Sequence, residues 1–260
     1  MRRFALIGER LGHSLSVPIH RALYRELGVE AEYRLLEVPR NRLEERLPEL
    51  LREVDGLNVT IPYKQRVMSL LREVDELAKE AGAVNTVLCA QQYGVNTDVA
   101  GFETMLRLAG LDPRGQVCFV LGTGGASGAV RTALRRMGAA GIVFVSRHPQ
   151  GEAIGYDELP RRMSGLLVNC TPAGMWPHPE DCPIPPALLD AVLSRCSGVA
   201  DLIYNPRETV LTRAARERGL PQCTGLSMLA AQAMEAERLW LGREIPEDLL
   251  PVLMKEAENA

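Results

Sequence analysis

The sequence predicts an α/β fold made of two successive units, and three observations support this prediction. Through the N-terminal part of the chain, short apolar runs alternate with amphipathic helical segments, which is the pattern of a parallel sheet with helical crossovers. A second strand–helix–strand run begins near Gln116, and a glycine-rich turn follows its first strand. The chain has 260 residues, which is enough for two domains of ordinary size.

The first unit opens with an apolar strand from Phe4 to Ile7 and a helix that ends at Gly28, and a second strand follows from Tyr33 to Val38. Ser16 precedes the apolar residues of the helix and is therefore a candidate N-cap. That role does not account for Ser14. Two hydroxyls beside free helix N–H groups also form a site for a carboxylate, and the two roles of Ser16 are compatible.

A polar strand follows from Gly56 to Lys64 after a leucine-rich amphipathic helix. Apolar residues alternate there with Asn58 and Thr60, which places both polar side chains on one face. Pro62 ends the strand and suits the first turn of a helix, so we expect Lys64 within that turn, where a cation opposes the helix dipole by roughly 0.3–1 kcal/mol. This combination indicates a site for a polyhydroxylated substrate. From this stretch alone, an exposed lysine after a strand is an equally good interpretation.

Helical spacing of apolar residues continues from Val67 to Val74 and predicts that the helix after Pro62 runs through this segment. A Val-Asn-Thr sequence then occurs twice, at Asn85 and again just before Asp98, which predicts a β-hairpin or two adjacent strands. Asn85 is typical of a turn or a cap, and Asp98 is a candidate N-cap of the next helix. For both residues, a structural role and a role in a site can coexist.

The second unit starts with a continuously apolar strand, Val117 to Leu121, which is typical of a sheet covered on both faces. It runs into the glycine-rich turn from Gly122 to Gly128, and then come a helix and a strand from Ile142 to Val145. This unit indicates a dinucleotide site, because the glycines allow a tight turn and the helix N-terminus faces the pyrophosphate. An NAD site usually has an acidic residue after the second strand, where this chain has Ser146-Arg147-His148. Because arginine suits a 2′-phosphate, we predict NADP rather than NAD, with a surface arginine as the alternative.

Two further apolar strands complete this unit. The first, Leu166 to Asn169, leads to Thr171, and the second, Val199 to Ile203, leads to Tyr204. Both turns lie where an open α/β sheet binds ligands, although Tyr204 also suits a packing role. A helix from Gly225 through Trp240 and a short final helix follow.

Composition excludes several classes of function. The formal net charge of −3 gives no electrostatic reason to expect nucleic acid or an anionic membrane as a partner, and no segment reaches membrane-spanning length. The six cysteines are widely spaced without a CxxC pair, as in a reduced cytoplasmic protein. His13 and His20 have no acidic or cysteine partner at ligand spacing, so no metal site is predicted and both histidines are interpreted as structural.

Taken together, these segments resemble the shikimate dehydrogenase family, nearly from end to end and in order. Each match alone is weak, whereas the ordered set is highly specific. The segments that carry the resemblance are His13-Ser14-Leu15-Ser16, Asn58-Val59-Thr60-Ile61-Pro62-Tyr63-Lys64, Gly82-Ala83-Val84-Asn85-Thr86, Asn96-Thr97-Asp98, Gly122-Thr123-Gly124-Gly125-Ala126, Asn169-Cys170-Thr171-Pro172-Ala173-Gly174-Met175, Asp201-Leu202-Ile203-Tyr204-Asn205-Pro206 and Met228-Leu229-Ala230-Ala231-Gln232.

The resemblance implies reversible NADP-linked reduction of 3-dehydroshikimate to shikimate, in the pathway to aromatic amino acids. It implies a substrate domain at residues 1–98, a Rossmann-type doubly wound NADP-binding domain at 99–224, and C-terminal helices at 225–260 that pack back on the first domain. The expected partners are the small-molecule substrate and NADP(H), and the expected oligomeric state is a monomer or a homodimer.

The family motifs also imply roles for single residues. Lys64 would be the general acid and base, with Asp98 beside it, and Ser14 and Ser16 would hold the substrate carboxylate. The other residues implied for the substrate are Asn58, Thr60, Asn85, Asp98, Tyr204 and Gln232. Those implied for the cofactor are Gly122, Thr123, Gly124, Gly125, Ala126, Ser146, Arg147, His148, Thr171, Leu202 and Gly225.

The chain departs from the family pattern at a few positions. Val17 stands where the family usually has proline, the hairpin between Asn85 and Asp98 is short, and Ser146-Arg147-His148 replaces Asn-Arg-Thr while keeping the arginine. Two alternatives therefore stay open: a quinate/shikimate dehydrogenase that also uses NAD, and a catalytically silent NADP-binding regulatory protein. The complete polar set, including Lys64, favours an active enzyme.

Overall fold

The computed structural model describes residues 1–12 and 14–260, and the chain divides into two compact units. The first unit comprises Met1–Gly101 and Leu229–Ala260, and the second comprises Phe102–Met228. His13, which the sequence suggests is structural, lies outside the described residues. Each unit has its own sheet and its own apolar core, so the predicted α/β fold class is confirmed.

The first unit contains a mixed sheet. Its strands are β1 (Arg2–Gly8), β2 (Ala31–Glu37), β3 (Gly56–Val59), β4 (Glu73–Val74), β5 (Thr86–Leu88) and β6 (Tyr93–Val95). They have the order β2-β1-β3-β5-β6-β4. β1 pairs in parallel with β2 and β3, as the crossover pattern predicts, whereas β5 is antiparallel to β3 and β6. The hairpin predicted after Asn85 is confirmed as β5 and β6.

The helices of this part of the chain are α1 (Ser16–Leu27), α2 (Leu43–Glu53), α3 (Glu76–Ala81) and α4 (Asp98–Leu108). Gly28 ends α1 in the left-handed conformation, with a φ of 62°, as its position in the sequence predicts. The leucines of α2 point into the core of the unit together with Leu57 and Val87 of the sheet.

Ser16 and Asp98, the predicted N-caps of α1 and α4, are instead the first residues of these helices. α1 begins at Ser16 itself, and its first N–H is taken by Ser14 Oγ, which accepts from Ser16 N–H at 3.3 Å. α4 begins at Asp98, and the cap-like bond comes from Asn96 Oδ1, which accepts from Val99 N–H at 3.2 Å. In both cases an upstream side chain takes the orphan donor, so Ser16 and Asp98 keep their side chains for other partners.

The α-helix predicted from Pro62 to Val74 is not formed. Lys64 lies in a turn, only a short 3-10 helix, Arg66–Leu70, follows it, and β4 comes next. Pairing of β4 with β6 draws Val74 into the sheet and overrides the local helical spacing. The helix-dipole argument for Lys64 therefore does not apply. The turn that contains Lys64 is held instead by a backbone hydrogen bond, in which Val84 N–H donates to the Lys64 carbonyl at 2.8 Å.

The second unit is a doubly wound parallel sheet. Its strands are β7 (Val117–Leu121), β8 (Gly141–Val145), β9 (Gly165–Asn169), β10 (Cys196–Asp201) and β11 (Gln222–Thr224), and its helices are α5 (Ser127–Arg136), α6 (Leu159–Arg162), α7 (Pro186–Leu193) and α8 (Val210–Glu217). The strand order β11-β10-β9-β7-β8 reverses direction at β7. Ligands of such sheets bind at the carboxyl ends of the strands beside this reversal, which are the ends of β7 and β9.

The last helices are α9 (Leu226–Leu241) and α10 (Leu250–Glu258), and residues from Leu229 onward belong to the first unit. Trp240 of α9 donates from Nε1 to the Val87 carbonyl at 3.0 Å and stacks on Phe4 with ring centroids 4.7 Å apart. α10 packs against α1. The predicted return of the C-terminal helices to the first unit is therefore confirmed. No helix in the described part of the chain is long and apolar enough to cross a membrane.

Candidate active site

A lysine–aspartate pair is the chemical centre of the first unit. Lys64 Nζ donates a hydrogen bond to Asp98 Oδ2 at 2.7 Å. The turn after β3 presents the lysine, and the first residue of α4 presents the aspartate. The two side chains are 16% and 9% exposed, so the pair is largely removed from water but can still be reached. An ammonium held in this way is a directed proton donor.

Asn85 holds Asp98 from the other side. Its Nδ2 donates to Asp98 Oδ1 and to Thr97 Oγ1, each at 2.9 Å, and its Oδ1 accepts from Thr97 N–H at 2.7 Å. Both amide donors are therefore used by protein groups. The geometry makes Asn85 an organiser of the lysine–aspartate pair.

Asn58 is buried in β3, and its side chain is also engaged. Its Nδ2 donates to the Asn85 carbonyl at 3.1 Å and to Thr86 Oγ1 at 3.0 Å, and its Oδ1 accepts from the Tyr33 hydroxyl at 2.6 Å. The remaining capacity is a lone pair of Oδ1, so Asn58 can meet a ligand hydroxyl only as an acceptor. Thr60, just beyond β3, is half-buried.

Ser14 and Ser16 lie together at the N-terminus of α1. The Ser14 hydroxyl donates to Ser16 Oγ at 3.1 Å. Ser16 is buried and Ser14 is half-buried. Two hydroxyls beside the first N–H groups of a helix provide donors for an anion such as a carboxylate.

Gln232 joins this group from α9. Its Oε1 lies 3.5 Å from Asn85 Nδ2 and 3.5 Å from Thr97 Oγ1, and its Nε2 donates to the Leu229 carbonyl at 2.8 Å. The structure thus brings together five of the residues that the motifs single out: Asn58, Lys64, Asn85, Asp98 and Gln232.

The glycine-rich turn of the second unit follows β7. Gly122 has a φ of 92°, and a side chain on it would meet Thr171 at 2.9 Å, so glycine is required there. A Cβ on Gly124 or Gly125 would meet nothing within 4 Å, so this turn faces open space. Ser127, the first residue of α5, donates its hydroxyl to the Gly124 carbonyl at 2.7 Å. An open glycine turn at a helix N-terminus fits the pyrophosphate of a dinucleotide.

The segment Ser146-Arg147-His148 follows β8. Because Val145 pairs with Leu121, this segment and the glycine-rich turn leave the sheet at the same edge. Arg147 is exposed, and Ser146 Oγ accepts from His148 N–H at 3.2 Å. A free guanidinium without an acidic residue at this position fits a phosphate on the adenosine ribose.

A buried aspartate ties together the turns after β9 and β10. Asp201 Oδ1 accepts from Asn169 Nδ2 at 2.9 Å and from Ile203 N–H at 3.1 Å. Asn169 Oδ1 in turn accepts from the Thr171 hydroxyl at 2.7 Å, which positions Thr171 beside the glycine-rich turn. Burial raises the pKa of Asp201 to about 6.

The remaining predicted residues of the second unit follow β10 and β11. A Cβ on Gly225 would overlap the Leu202 carbonyl, so this close approach requires glycine. Tyr204 is half-buried, and burial raises the pKa of its phenol. It belongs to the second unit, whereas the other residues implied for the substrate belong to the first.

The structure adds a buried histidine–glutamate pair to the predicted residues. The sequence offers His20 no acidic partner at ligand spacing, but its Nδ1 lies 2.7 Å from Glu237 Oε1 and both side chains are fully buried. The Tyr24 hydroxyl donates to the same oxygen at 2.8 Å. A signal was present in the helical pattern, because Glu237 shares the buried face of α9 with Ala233, Ala236 and Trp240. Among the described residues, no group of three or more His, Cys, Asp or Glu side chains is arranged to hold a metal ion.

Comparison with known proteins identifies relatives of both units. A family model described as the shikimate dehydrogenase substrate binding domain matches residues 6–87. An NADP(+) shikimate dehydrogenase of Clostridium beijerinckii is 36% identical over 271 residues, and the alignment covers 100% of this chain and 99% of the relative.

Two solved structures are similar over the whole chain. A chorismate mutase/shikimate 5-dehydrogenase fusion protein from Clostridium acetobutylicum has a TM-score of 0.94 at 37% identity, with 100% of this chain and 98% of that chain covered. A shikimate 5-dehydrogenase from Thermus thermophilus in complex with NADP(H) and shikimate has a TM-score of 0.88 at 34% identity, with 100% and 99% covered.

Proposed function

The chain belongs to the shikimate dehydrogenase family, and from that membership we propose that Lys64 is its general acid and base, with Asp98 as the partner of Lys64. The protein is an NADP-dependent oxidoreductase that reversibly reduces 3-dehydroshikimate to shikimate in the shikimate pathway. The observation that carries the residue roles is the 2.7 Å hydrogen bond from Lys64 Nζ to Asp98 Oδ2.

The reduction needs a hydride at C3 and a proton at the C3 oxygen. NADPH held by the second unit would supply the hydride, and negative charge would then develop on that oxygen. Lys64 Nζ gives its proton to the oxygen, and in the reverse direction the neutral amine accepts the proton of the C3 hydroxyl. Asp98 compensates the charge of the ammonium and directs it. General acid–base catalysis of this kind contributes roughly 10²–10⁴-fold.

The side chains around this pair suit the rest of the substrate. Ser14 and Ser16 at the start of α1 offer donors for the carboxylate. Asn58 offers an acceptor for a ring hydroxyl. Gln232 Nε2 uses one N–H for the Leu229 carbonyl, and its second N–H is a donor for the substrate. Asn85, which also orients Asp98, is proposed as a further substrate contact together with Thr60 and Tyr204.

The second unit would hold NADP(H). The turn from Gly122 through Ala126 and the N-terminus of α5 suit the pyrophosphate, and Arg147 with its neighbours Ser146 and His148 suits the 2′-phosphate. Residues expected along the rest of the cofactor are Thr171, Leu202 and Gly225.

We further propose that residues 1–98 with 225–260 form the substrate domain and that 99–224 form the cofactor domain. The support is the division of the chain into Met1–Gly101 with Leu229–Ala260 and Phe102–Met228. We place the enzyme in the cytoplasm on the support of its free cysteines, as a monomer or homodimer.

A spectrophotometric assay of the purified protein tests the function. It follows formation of reduced nicotinamide with shikimate or quinate as substrate and NADP or NAD as cofactor. We expect the highest kcat/KM with shikimate and NADP. Equal turnover of quinate would support the broader quinate/shikimate enzyme, and no turnover in any combination would support a silent NADP-binding protein.

Substitution of Lys64 tests the mechanism. We expect Lys64→Ala to lower kcat by at least about tenfold, because the proton donor is lost, while the Kd for NADP stays unchanged. Lys79→Ala is the matched control, since Lys79 is an exposed lysine paired with Glu76 on α3. Turnover at the wild-type rate in Lys64→Ala would remove the lysine from the mechanism.

A further inference from the structure

Tyr33 of β2 lies between the two parts of the proposed substrate site. It is 4% exposed, and its hydroxyl donates to Asn58 Oδ1 at 2.6 Å. The Ser16 side chain lies near this hydroxyl, and the Ser14 hydroxyl donates to Ser16 Oγ at 3.1 Å. The phenol of Tyr33 is therefore bonded to the asparagine, which suits a ring hydroxyl, and lies beside the serine pair, which suits a carboxylate.

A buried polar cluster supports the ring of Tyr33. The His20 ring stacks on it with centroids 3.8 Å apart and an interplanar angle of 9°. The bond from His20 Nδ1 to Glu237 Oε1 fixes the rotation of the imidazole, and Tyr24 donates to the same glutamate oxygen. The imidazole in turn fixes the plane of the Tyr33 ring.

This cluster is costly as mere core packing. Within the part of the chain that the structure describes, His20 Nε2 and Glu237 Oε2 are buried without a hydrogen-bond partner. Unpaired buried polar atoms lower stability, and apolar side chains would avoid that cost. Apolar replacement of the cluster therefore provides a background in which the Tyr33 hydroxyl can be tested by itself.

We propose that Tyr33 is a positioning residue of the substrate site, which sets the direction of the Asn58 amide and its distance from the Ser14–Ser16 pair. The inference rests on the proposed function. The two donors of Asn58 Nδ2 are taken by Asn85 and Thr86, and the bond from Tyr33 sets where Oδ1 lies. Burial raises the pKa of the Tyr33 phenol well above its usual range, so the hydroxyl stays a donor. The substrate class this arrangement takes is a carboxylate with a ring hydroxyl that donates to Asn58 Oδ1.

The matched pair Tyr33→Phe and Tyr24→Phe tests this role. Both tyrosines are 4% exposed, and each substitution removes one buried phenol hydroxyl, but Tyr24 donates to Glu237 and not to Asn58. We expect Tyr33→Phe to raise the KM for shikimate about tenfold with kcat within about twofold of wild type. We expect Tyr24→Phe to leave that KM within about twofold, although both variants lose thermal stability to a similar extent. The KM for NADP should be unchanged in both.

Two results would overturn the positioning role: a folded Tyr33→Phe with wild-type KM for shikimate, or an equal rise of KM in both variants. Wild-type protein without shikimate turnover would instead refute the proposed function, and this inference with it. The two failures are therefore distinguishable.

A background with an apolar cluster covers the case in which Tyr33→Phe does not fold. His20→Phe, Tyr24→Phe and Glu237→Leu together replace the buried cluster by apolar side chains, a change that often costs no stability. We expect this background, which keeps the Tyr33 hydroxyl, to have a KM for shikimate within about threefold of wild type, and addition of Tyr33→Phe to raise it about tenfold. Equal KM values with and without Tyr33→Phe would overturn the inference.

Discussion

Asp98 accepts a hydrogen bond on each of its carboxylate oxygens, from Lys64 on one and from Asn85 on the other. An asparagine at position 98 can keep only one of these bonds, because its Nδ2 is a donor and would face either Lys64 Nζ or Asn85 Nδ2. We expect Asp98→Asn to lower kcat about tenfold or more, since Lys64 loses either its acceptor or its fixed direction. Steady-state kinetics with shikimate measures this effect.

The control for this substitution is Asp75→Asn. Asp75 caps α3 by accepting from Ala78 N–H at 2.8 Å, and asparagine caps a helix equally well. Turnover should therefore be unchanged in the control. If Asp98→Asn turns over like the control, Asp98 has no part in the mechanism.

Arg147 carries the prediction of cofactor preference. We expect Arg147→Ala to raise the KM for NADP about tenfold or more, because a charged hydrogen bond to the 2′-phosphate is lost, and to leave the KM for NAD within about twofold. Initial rates with both cofactors measure the difference. Arg162→Ala, which changes an exposed arginine at the end of α6, is the control. Equal effects on NADP and NAD would make Arg147 a bystander.

At the scale of single residues, the sequence predicted which side chains gather but not how they are bonded. Lys64, Asn85 and Asp98 were singled out by motifs at strand ends, and strand pairing brings them within hydrogen-bonding distance. The partner of His20 could not be predicted, because Glu237 lies 217 positions away and only tertiary packing joins the two residues. The saturation of the Asn58 and Asn85 amides is likewise a property of the folded network.

At the scale of elements, the ends of β9 and β10 are joined through a carboxyl group that is buried at a cost. The pKa of Asp201 is raised to about 6 by burial, with hydrogen bonds from Thr209 and Asn169 opposing the rise. Below the pKa of the unfolded chain, the carboxyl is protonated in both states and costs nothing. Between about pH 4 and about pH 6 the unfolded chain ionises while the buried carboxyl of the folded protein stays neutral, so stability falls, and the loss is complete once the pH has passed through about 6.

We therefore expect Asp201→Asn to gain stability relative to wild type as the pH rises from about 4 to about 7, by about 3 kcal/mol over that range. Asparagine keeps the acceptor for Asn169 Nδ2 and Ile203 N–H, and its Nδ2 can donate to Thr209 Oγ1. Urea unfolding followed by fluorescence measures the difference at each pH. A Trp240→Phe background leaves Trp176 of the second unit as the reporter, since the chain has 2 tryptophans. If the free energies of unfolding of Asp201→Asn and its background differ by the same amount at every pH, the pKa of Asp201 is not raised by burial.

The elements themselves were largely predictable from local patterns, and the failures have a common cause. Strands β7 to β10, the glycine-rich turn after β7, the leucine face of α2 and the end of α1 at Gly28 depend on residues close in sequence and were predicted, whereas β11 was not. The segment from Pro62 to Val74 has a helical period but forms a turn, a short 3-10 helix and then β4, whose pairing with β6 replaces the local helix. Periodicity within one segment contains no information about that competitor.

At the scale of the whole molecule, the first unit is built from two distant parts of the chain. Residues 229–260 contribute Gln232, the Trp240 indole that bonds to β5, and α10 against α1. The pattern of strands and helices alone does not assign these helices to either unit. The ordered family motifs did imply their return to the first domain, which shows what resemblance adds to local chemistry.

This division leads to a prediction for hydrogen exchange with each ligand alone. A ligand stabilises the cooperative unit that binds it by about 2.7 kcal/mol at a hundred times its Kd, and exchange slows wherever opening requires that unit to unfold. We expect NADP to slow exchange mainly in peptides from 102–228, and shikimate to slow it in 1–101 and, together with them, in the distant peptides of 229–260. Mass spectrometry of exchanged peptides measures both patterns, with the ligand-free protein as the reference. If NADP alone slows hydrogen exchange in 229–260 as much as in 102–228, the last helices belong with the cofactor domain and the proposed domain roles are contradicted.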